Sequence, residues 1–276
     1  MSERWAQKLN LDKFEQIKSR QGMTELHDEQ GGPFFTIKSP RDESYLGETR
    51  VLVGDGLVRK VVYHGITATI QPPGAPAPFL LDSHMVFAFT DHASPIPHWT
   101  FDSVYSEPFY AFHLDLLPRV DLGSHRAYMD YVFGHLNEEF EAGKSSDGLS
   151  EAALSPRQRS IMSQWMLAYR VHADKYPAKD KHVQAYLNWW FQLLDEGLPQ
   201  EVLDSIKDTD VADRDLANRA MIFNREIDPV WNLITPLVGD WTSELLRAQL
   251  ETNDVVNPDQ VPADFTAPSF GPPRGH

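Results

Sequence analysis

The 276-residue sequence has no cysteine, which removes disulfides, thiolate metal sites and cysteine nucleophiles together. It has no uninterrupted apolar run of about 18 residues, the length a membrane-spanning helix needs. Basic residues are scarce beside acidic ones, 25 Lys and Arg against 40 Asp and Glu, for a formal net charge of −15. Phosphate contacts and anionic membranes both call for a basic surface, so neither nucleic acid nor membrane is an expected partner. The short signatures of common chemistry are missing too: no GxGxxG follows a strand, and no GxxxxGK[ST], HExxH or GxSxG occurs. The N-terminal MSERWAQKLNLDKFEQ is charged and amphipathic and reads as no secretory signal, so a cytoplasmic protein is expected.

What is present is enough for a full core: 41% of the residues are hydrophobic and 11% aromatic. The most informative stretch is 79–122, FLLDSHMVFAFTDHASPIPHWTFDSVYSEPFYAFHLDLLPRVDL. It reads as three short strands whose apolar positions are interrupted by Asp82, His84, His98, Asp102, His113 and Asp115. Side chains two apart on a strand share a face. His98, Thr100, Asp102 and Val104 therefore face one way, and Trp99, Phe101 and Ser103 the other. On the next strand Phe109, Ala111, His113 and Asp115 share a face. Histidine and aspartate set among phenylalanine and tryptophan line a pocket more often than they meet bulk water.

In chain order, residues 3–20 have helical spacing, with Trp5, Leu9, Leu11, Phe14 and Ile17 on one side. FFTIK at 34–38 reads as a strand. TRVLV, Gly54-Asp55-Gly56 and LVRKVVYHGITATI read as a hairpin whose turn uses positive-φ residues. QPPGAPAP at 71–78 is a Pro-rich connection. The total is about six strands in antiparallel order. From Gly123 the period is helical: one helix over HRAYMDYVFGHLNEEFEA, and one over SPRQRSIMSQWMLAYRVHADKY with Ser155 as N-cap and Pro156 at its first position. A third covers HVQAYLNWWFQLLDEG, a fourth DVADRDLANRAMIFNREID up to Pro229, and a last bends at Pro236 and Gly239. Strands followed by helices give an α+β fold, an antiparallel sheet covered by helices. No repeat or linker divides it, so a single domain over 1–254 is expected, with a Pro-rich extended or disordered tail over 255–276.

The residues alone leave the chemistry open. Metal ligation by His84, His98 and His113 has no distinguishing spacing, and strand aspartates are unspecific for a carboxylate-dependent hydrolase. Buried among Trp99 and Phe101, an aspartate would hold its proton more tightly, as a general acid requires. Asp102 also reads as a turn cap or an Arg partner, Asp228 before Pro229 as a helix N-cap, and His84 as a hydrogen-bonded core histidine. Asp115 and Asp121 read as structural.

Three segments resemble the ferredoxin-dependent bilin reductases and their relative, red chlorophyll catabolite reductase. The first is Ser94-Pro-Ile-Pro-His-Trp-Thr-Phe-Asp102-Ser-Val. The second is Phe112-His-Leu-Asp115-Leu-Leu-Pro-Arg119-Val-Asp121-Leu with Tyr128 after it. The third is Arg219-Ala220, Asp228-Pro229-Val and Leu237-Val-Gly239. Asp102 falls on the catalytic strand aspartate of the bilin reductases, and Asp228 on a second aspartate that some members use for proton transfer. His84 matches a substrate-contacting histidine after a one-residue insertion, while a glutamate of some members has no counterpart near Tyr63, His64 and Thr67.

The resemblance implies an α/β/α sandwich that holds an open-chain tetrapyrrole between sheet and C-terminal helices, with no bound metal or flavin. Ferredoxin or another small electron carrier would deliver single electrons, and pocket groups the protons. Asp102, Asp228 and His84 are then the expected catalytic residues, and Arg59, His98, Trp99, His113 and Arg219 the expected substrate contacts. Two other readings stand beside this oxidoreductase: a non-catalytic tetrapyrrole-binding protein, and a metal- or carboxylate-dependent hydrolase on an unrelated α+β fold. An acidic ferredoxin calls for a local basic patch, for which Arg157, Arg159, Arg170, Lys175, Lys179 and Lys181 are the candidates.

Overall fold

The computed structural model describes residues 4–71, 77–152 and 154–265. Among them run strands β1 (Thr24–Leu26), β2 (Phe35–Lys38), β3 (Tyr45–Val53), β4 (Val58–Ile70), β5 (Phe79–Thr90), β6 (His98–Ser106), β7 (Phe109–Leu117), β8 (Leu149–Glu151) and β9 (Leu167–His172). The helices are α1 (Trp5–Gln21), α2 (Arg126–Val132), α3 (Asn137–Lys144), α4 (Pro156–Arg159), α5 (Asp180–Glu196), α6 (Gln200–Ser205), α7 (Val211–Ile222), α8 (Trp231–Val238) and α9 (Asp240–Glu251). The strands form one antiparallel sheet in the order β1-β3-β4-β5-β6-β7-β9-β8, with β2 also paired to β3.

The central strands do not alternate apolar with polar because both faces are covered. In β4, Val61, Val62 and Tyr63 are all fully buried in succession. One face packs on α1 and α5 through Phe14, Trp99, Phe101, Phe112, Tyr186 and Trp190. The other packs on α7, α8 and α9 through Phe87, Phe89, Phe223, Trp231, Ile234 and Leu246. The expected α/β/α sandwich is what forms.

Several local expectations fail for tertiary reasons. The expected helix over 155–176 is only α4, whose Ser155–Gln158 capping box forms, followed by a loop and β9. β7 needs a partner along its outer edge, and Leu167, Tyr169 and Val171 supply the inward-facing alternation that pairs there. The expected helix over 125–142 is divided at Gly134–Leu136 into α2 and α3. Short β1, β8 and β9 raise the strand count to nine among the described residues. The β3–β4 hairpin is real, but Gly54 is not in the positive-φ region. It is needed for close approach, since a Cβ there would stand 2.9 Å from the Val58 carbonyl oxygen. Gly239, at φ 84°, does turn the chain between α8 and α9.

Residues 72–76 of the Pro-rich connection and 266–276 of the expected tail lie outside the described residues. Residues 252–265 run back over the helix side, where Lys60 donates to the Asp254 carbonyl at 2.7 Å and the Trp241 indole to that of Pro262 at 2.9 Å.

Candidate functional site

Strand register writes the floor of a cavity in three rows. Met85, Asp102 and His113 pair directly across β5, β6 and β7. Ser83, Val104 and Ala111 form the row on one side of them, and Phe87, Thr100 and Asp115 the row on the other. The roof comes from the C-terminal helices and from the connection after α4. Phe223, Asp228, Val230 and Trp231 descend between α7 and α8, while Ile161, Met162 and Met166 close one side. The enclosed volume is about 130 Å³, and about 900 Å³ counting the space at its mouth. The lining is mainly apolar, and three of its members, Met85, Met162 and Met166, are unbranched side chains that repack easily.

The acid groups converge in this cavity. The His113 ring donates from Nδ1 to the Asp102 carboxylate at 2.9 Å. Burial pulls the His113 pKa down, but the Asp102 charge and hydrogen bond, with Asp228 behind them, outweigh it and leave it raised. Asp228 reaches the cavity from the helix side, and one carboxylate oxygen accepts from the Val230 N–H at 3.1 Å. Burial, with the Asp102 charge nearby, pushes Asp228 up to about 6 against the opposing Val230 bond and His113. A sheet-borne imidazole–carboxylate pair thus faces a carboxyl, on the connection between α7 and α8, that holds its proton up to about pH 6.

Asp115, at the end of the third row, works on the loop rather than the cavity. It is 1% exposed, and its two oxygens accept from the N–H and the hydroxyl of Ser163, in the middle of the segment that carries Met162 and Met166. Burial lifts its pKa to about 7 despite those bonds.

Other expected site residues lie elsewhere. His84 is on the opposite face of the sheet, where its Nε2–H donates to Asp82 at 2.9 Å and its Nδ1 accepts from the Tyr63 hydroxyl at 2.7 Å. It is the core histidine of the two readings, because strand alternation turns Met85 toward the cavity and His84 away. Trp99 is fully buried on that same far face beside Phe101. Arg59 stays near the β3–β4 turn, bonded to the Asp55 carbonyl at 2.9 Å and 3.7 Å from Asp91. His98 and Arg219 are on the cavity side but sealed beneath it. His98 accepts the Thr90 N–H and donates to Asp215 at 2.7 Å, and burial drops its pKa to about 3, so its ring is neutral. Asp215 also lies 3.5 Å from Arg119 and 3.6 Å from Arg219, whose remaining N–H groups bond the chain at Leu250, Thr252 and Asn253. These groups pin the helix layer to the sheet. Among the described residues, no three His, Asp or Glu side chains are grouped to hold a metal ion.

Ser83, Thr100, Met162, Met166 and Trp231 were not expected in the site. Register alone carried the signal for Ser83 and Thr100, two residues from Met85 and Asp102 respectively. The methionines were hidden by reading their loop as helix.

Fold and cavity together define a class: a helix-covered antiparallel sheet with a cavity, lined by two carboxyl groups and an imidazole, between the sheet and its C-terminal helices. The solved structure of phytochromobilin synthase from tomato in complex with biliverdin has this fold, with a TM-score of 0.61 over 91% of this chain and 85% of that one. The two sequences are 13% identical, so the likeness is one of fold. No family model and no curated protein matches the sequence. No helix among the described residues is long and apolar enough to cross a membrane.

Proposed function

We propose that the protein is a reductase of a linear tetrapyrrole or a similar conjugated molecule, fed with single electrons by ferredoxin or another small carrier. One observation carries this reading: Asp102 with His113 from the sheet, and Asp228 from the helix side, meet in one largely apolar cavity. Reducing one double bond takes two electrons and two protons. Each electron added to the conjugated system makes it more basic, and a positioned acid then protonates it. Asp102 and His113 act as one unit, in which the shared proton leaves toward the substrate and the imidazole resupplies it. Asp228, protonated below about pH 6, gives the second proton from the opposite wall.

The closed cavity approaches the size of an engineered site that admits benzene. Seating four linked rings therefore requires the methionine-bearing loop and the α7–α8 connection to move outward. Part of the basic cluster expected for the carrier is engaged within the chain: Arg159 faces Glu151, Lys175 pairs with Asp147, and Lys179 is buried against the Asp147 carbonyl. Arg157, next in sequence to the cavity residue Gln158, donates to the Glu226 carbonyl at 3.4 Å.

The test is a titration with biliverdin followed by addition of reduced ferredoxin. Binding shifts the pigment's absorbance band, and turnover moves or bleaches it again. Asp102→Asn is expected to keep the first change and slow the second by about 100-fold or more. A carrier protein would give only the first change in the parent. Turnover undiminished in Asp102→Asn would remove the mechanism.

A further inference from the structure

We infer that the cavity contains a subsite for a neutral carbonyl oxygen, with the Ser83 hydroxyl and the Trp231 indole N–H as its donors. The inference rests on the reading of this cavity as the ligand site. A second cavity of about 20 Å³ lies under α8 against His64, Ile66, Ile234 and Leu246. Ser83, Met85, Val230 and Trp231 line both cavities and so form the partition between them. Ser83 stands on the floor and Trp231 on the roof of that seam.

Both polar groups are unanswered among the described residues. Ser83 is 6% exposed, and its hydroxyl has no hydrogen-bond partner among the described residues. Trp231 is 4% exposed, and its Nε1 is shielded from solvent with no acceptor. Among the described residues it is the one lining either cavity that carries such an atom. Buried N–H groups without an acceptor are rare because leaving one unmade costs free energy. An indole N–H can only donate, so the missing partner brings an acceptor.

Charge narrows the acceptor further. No Lys or Arg lines either cavity, while Asp102 and Asp228 line the larger one. A carboxylate would meet repulsion without a counter-ion, whereas a lactam or ketone oxygen would not. Ser83 is diagonal to Asp102 across β5 and β6, so a ring whose oxygen sits at the seam lies over Met85 with its next atoms at the Asp102–His113 pair. The carbonyl subsite would thereby select which end of a conjugated chain is presented to the acid.

2-Pyrrolidinone, a single lactam ring of the size the closed cavity takes, and cyclopentane, its apolar counterpart, test this on the full chain by NMR of the ¹⁵N-labelled indoles. Trp231→Phe identifies the relevant indole signal. The expected result is a downfield shift of that indole proton with the lactam alone. Trp231→Phe and Ser83→Ala should each lower the lactam-to-cyclopentane affinity ratio by about 10-fold. Because Trp231→Phe also enlarges the cavity, the ratio is the readout, and Ser83→Ala supplies the less disruptive check. An unmoved indole signal, or a ratio unchanged in both variants, overturns the subsite. Parent protein that takes the lactam as described but no biliverdin keeps the subsite and removes the tetrapyrrole reading. Biliverdin binding with an unchanged ratio does the reverse.

Discussion

Asp228→Asn gives the sharpest stability test of the cavity's electrostatics. The native carboxyl is pushed from 3.8 to about 6, mainly by burial, and at 1.36 kcal/mol per pH unit that rise corresponds to about 3 kcal/mol. The sign follows from linkage. A carboxyl that binds its proton more tightly in the folded state destabilises the fold as pH rises, because ionising it there is harder than in the unfolded chain. The penalty is absent below pH 3.8, accrues between 3.8 and 6, and is complete above. Asparagine keeps an oxygen for the Val230 N–H and cannot ionise. The variant should therefore be more stable than the parent by well under 1 kcal/mol near pH 4 and by about 3 kcal/mol at pH 7.5. Urea denaturation of both proteins at the two pH values measures this, and shared contributions from Asp115 and Glu251 cancel in the difference. A gain that does not grow with pH, or a loss at both values, would show that the carboxylate is comfortably ionised, and the acid assignment would fail with it.

Other expectations follow from the same geometry. Turnover that draws on protonated Asp228 should fall as pH rises above about 6, and Asp228→Asn should flatten that limb of a pH–rate profile. Asp215→Asn leaves Arg119 and Arg219 buried without the carboxylate they share, so a loss of about 3–5 kcal/mol is expected by denaturant titration. Asp115→Ala strands both Ser163 donors and should cost about 2–4 kcal/mol. It should also raise the hydrogen-exchange rate across 160–166 before other regions.

The sandwich and two of its acids were legible in the sequence because they depend on short-range rules. Period-two spacing put Asp102 and His113 on adjacent strands' faces, and resemblance to a known pattern drew attention to Asp228. What could not be read was long-range. Whether His84 or Met85 faces the cavity depends on which side of β5 the C-terminal helices cover, and a family match one residue out of register chose the wrong neighbour. His98 and Arg219 are polar and on the correct side, yet Asp215, 117 residues from His98 in the chain, draws the imidazole into a sealed ion network. The strand β9 was lost for a similar reason: the sequence 155–176 has apolar spacing compatible with a helix, and only the open edge of β7 decides for a strand.

The Asp102–His113 pair belongs to the sheet, while Asp228 hangs from a connection held by the packing of α7, α8 and α9. On the proposed mechanism, proton delivery from both walls is thus a property of the layers' docking and of neither layer alone. Warming that loosens the C-terminal helices would disarm the protein while every strand remained paired, so inactivation and melting of the sheet would be separate events.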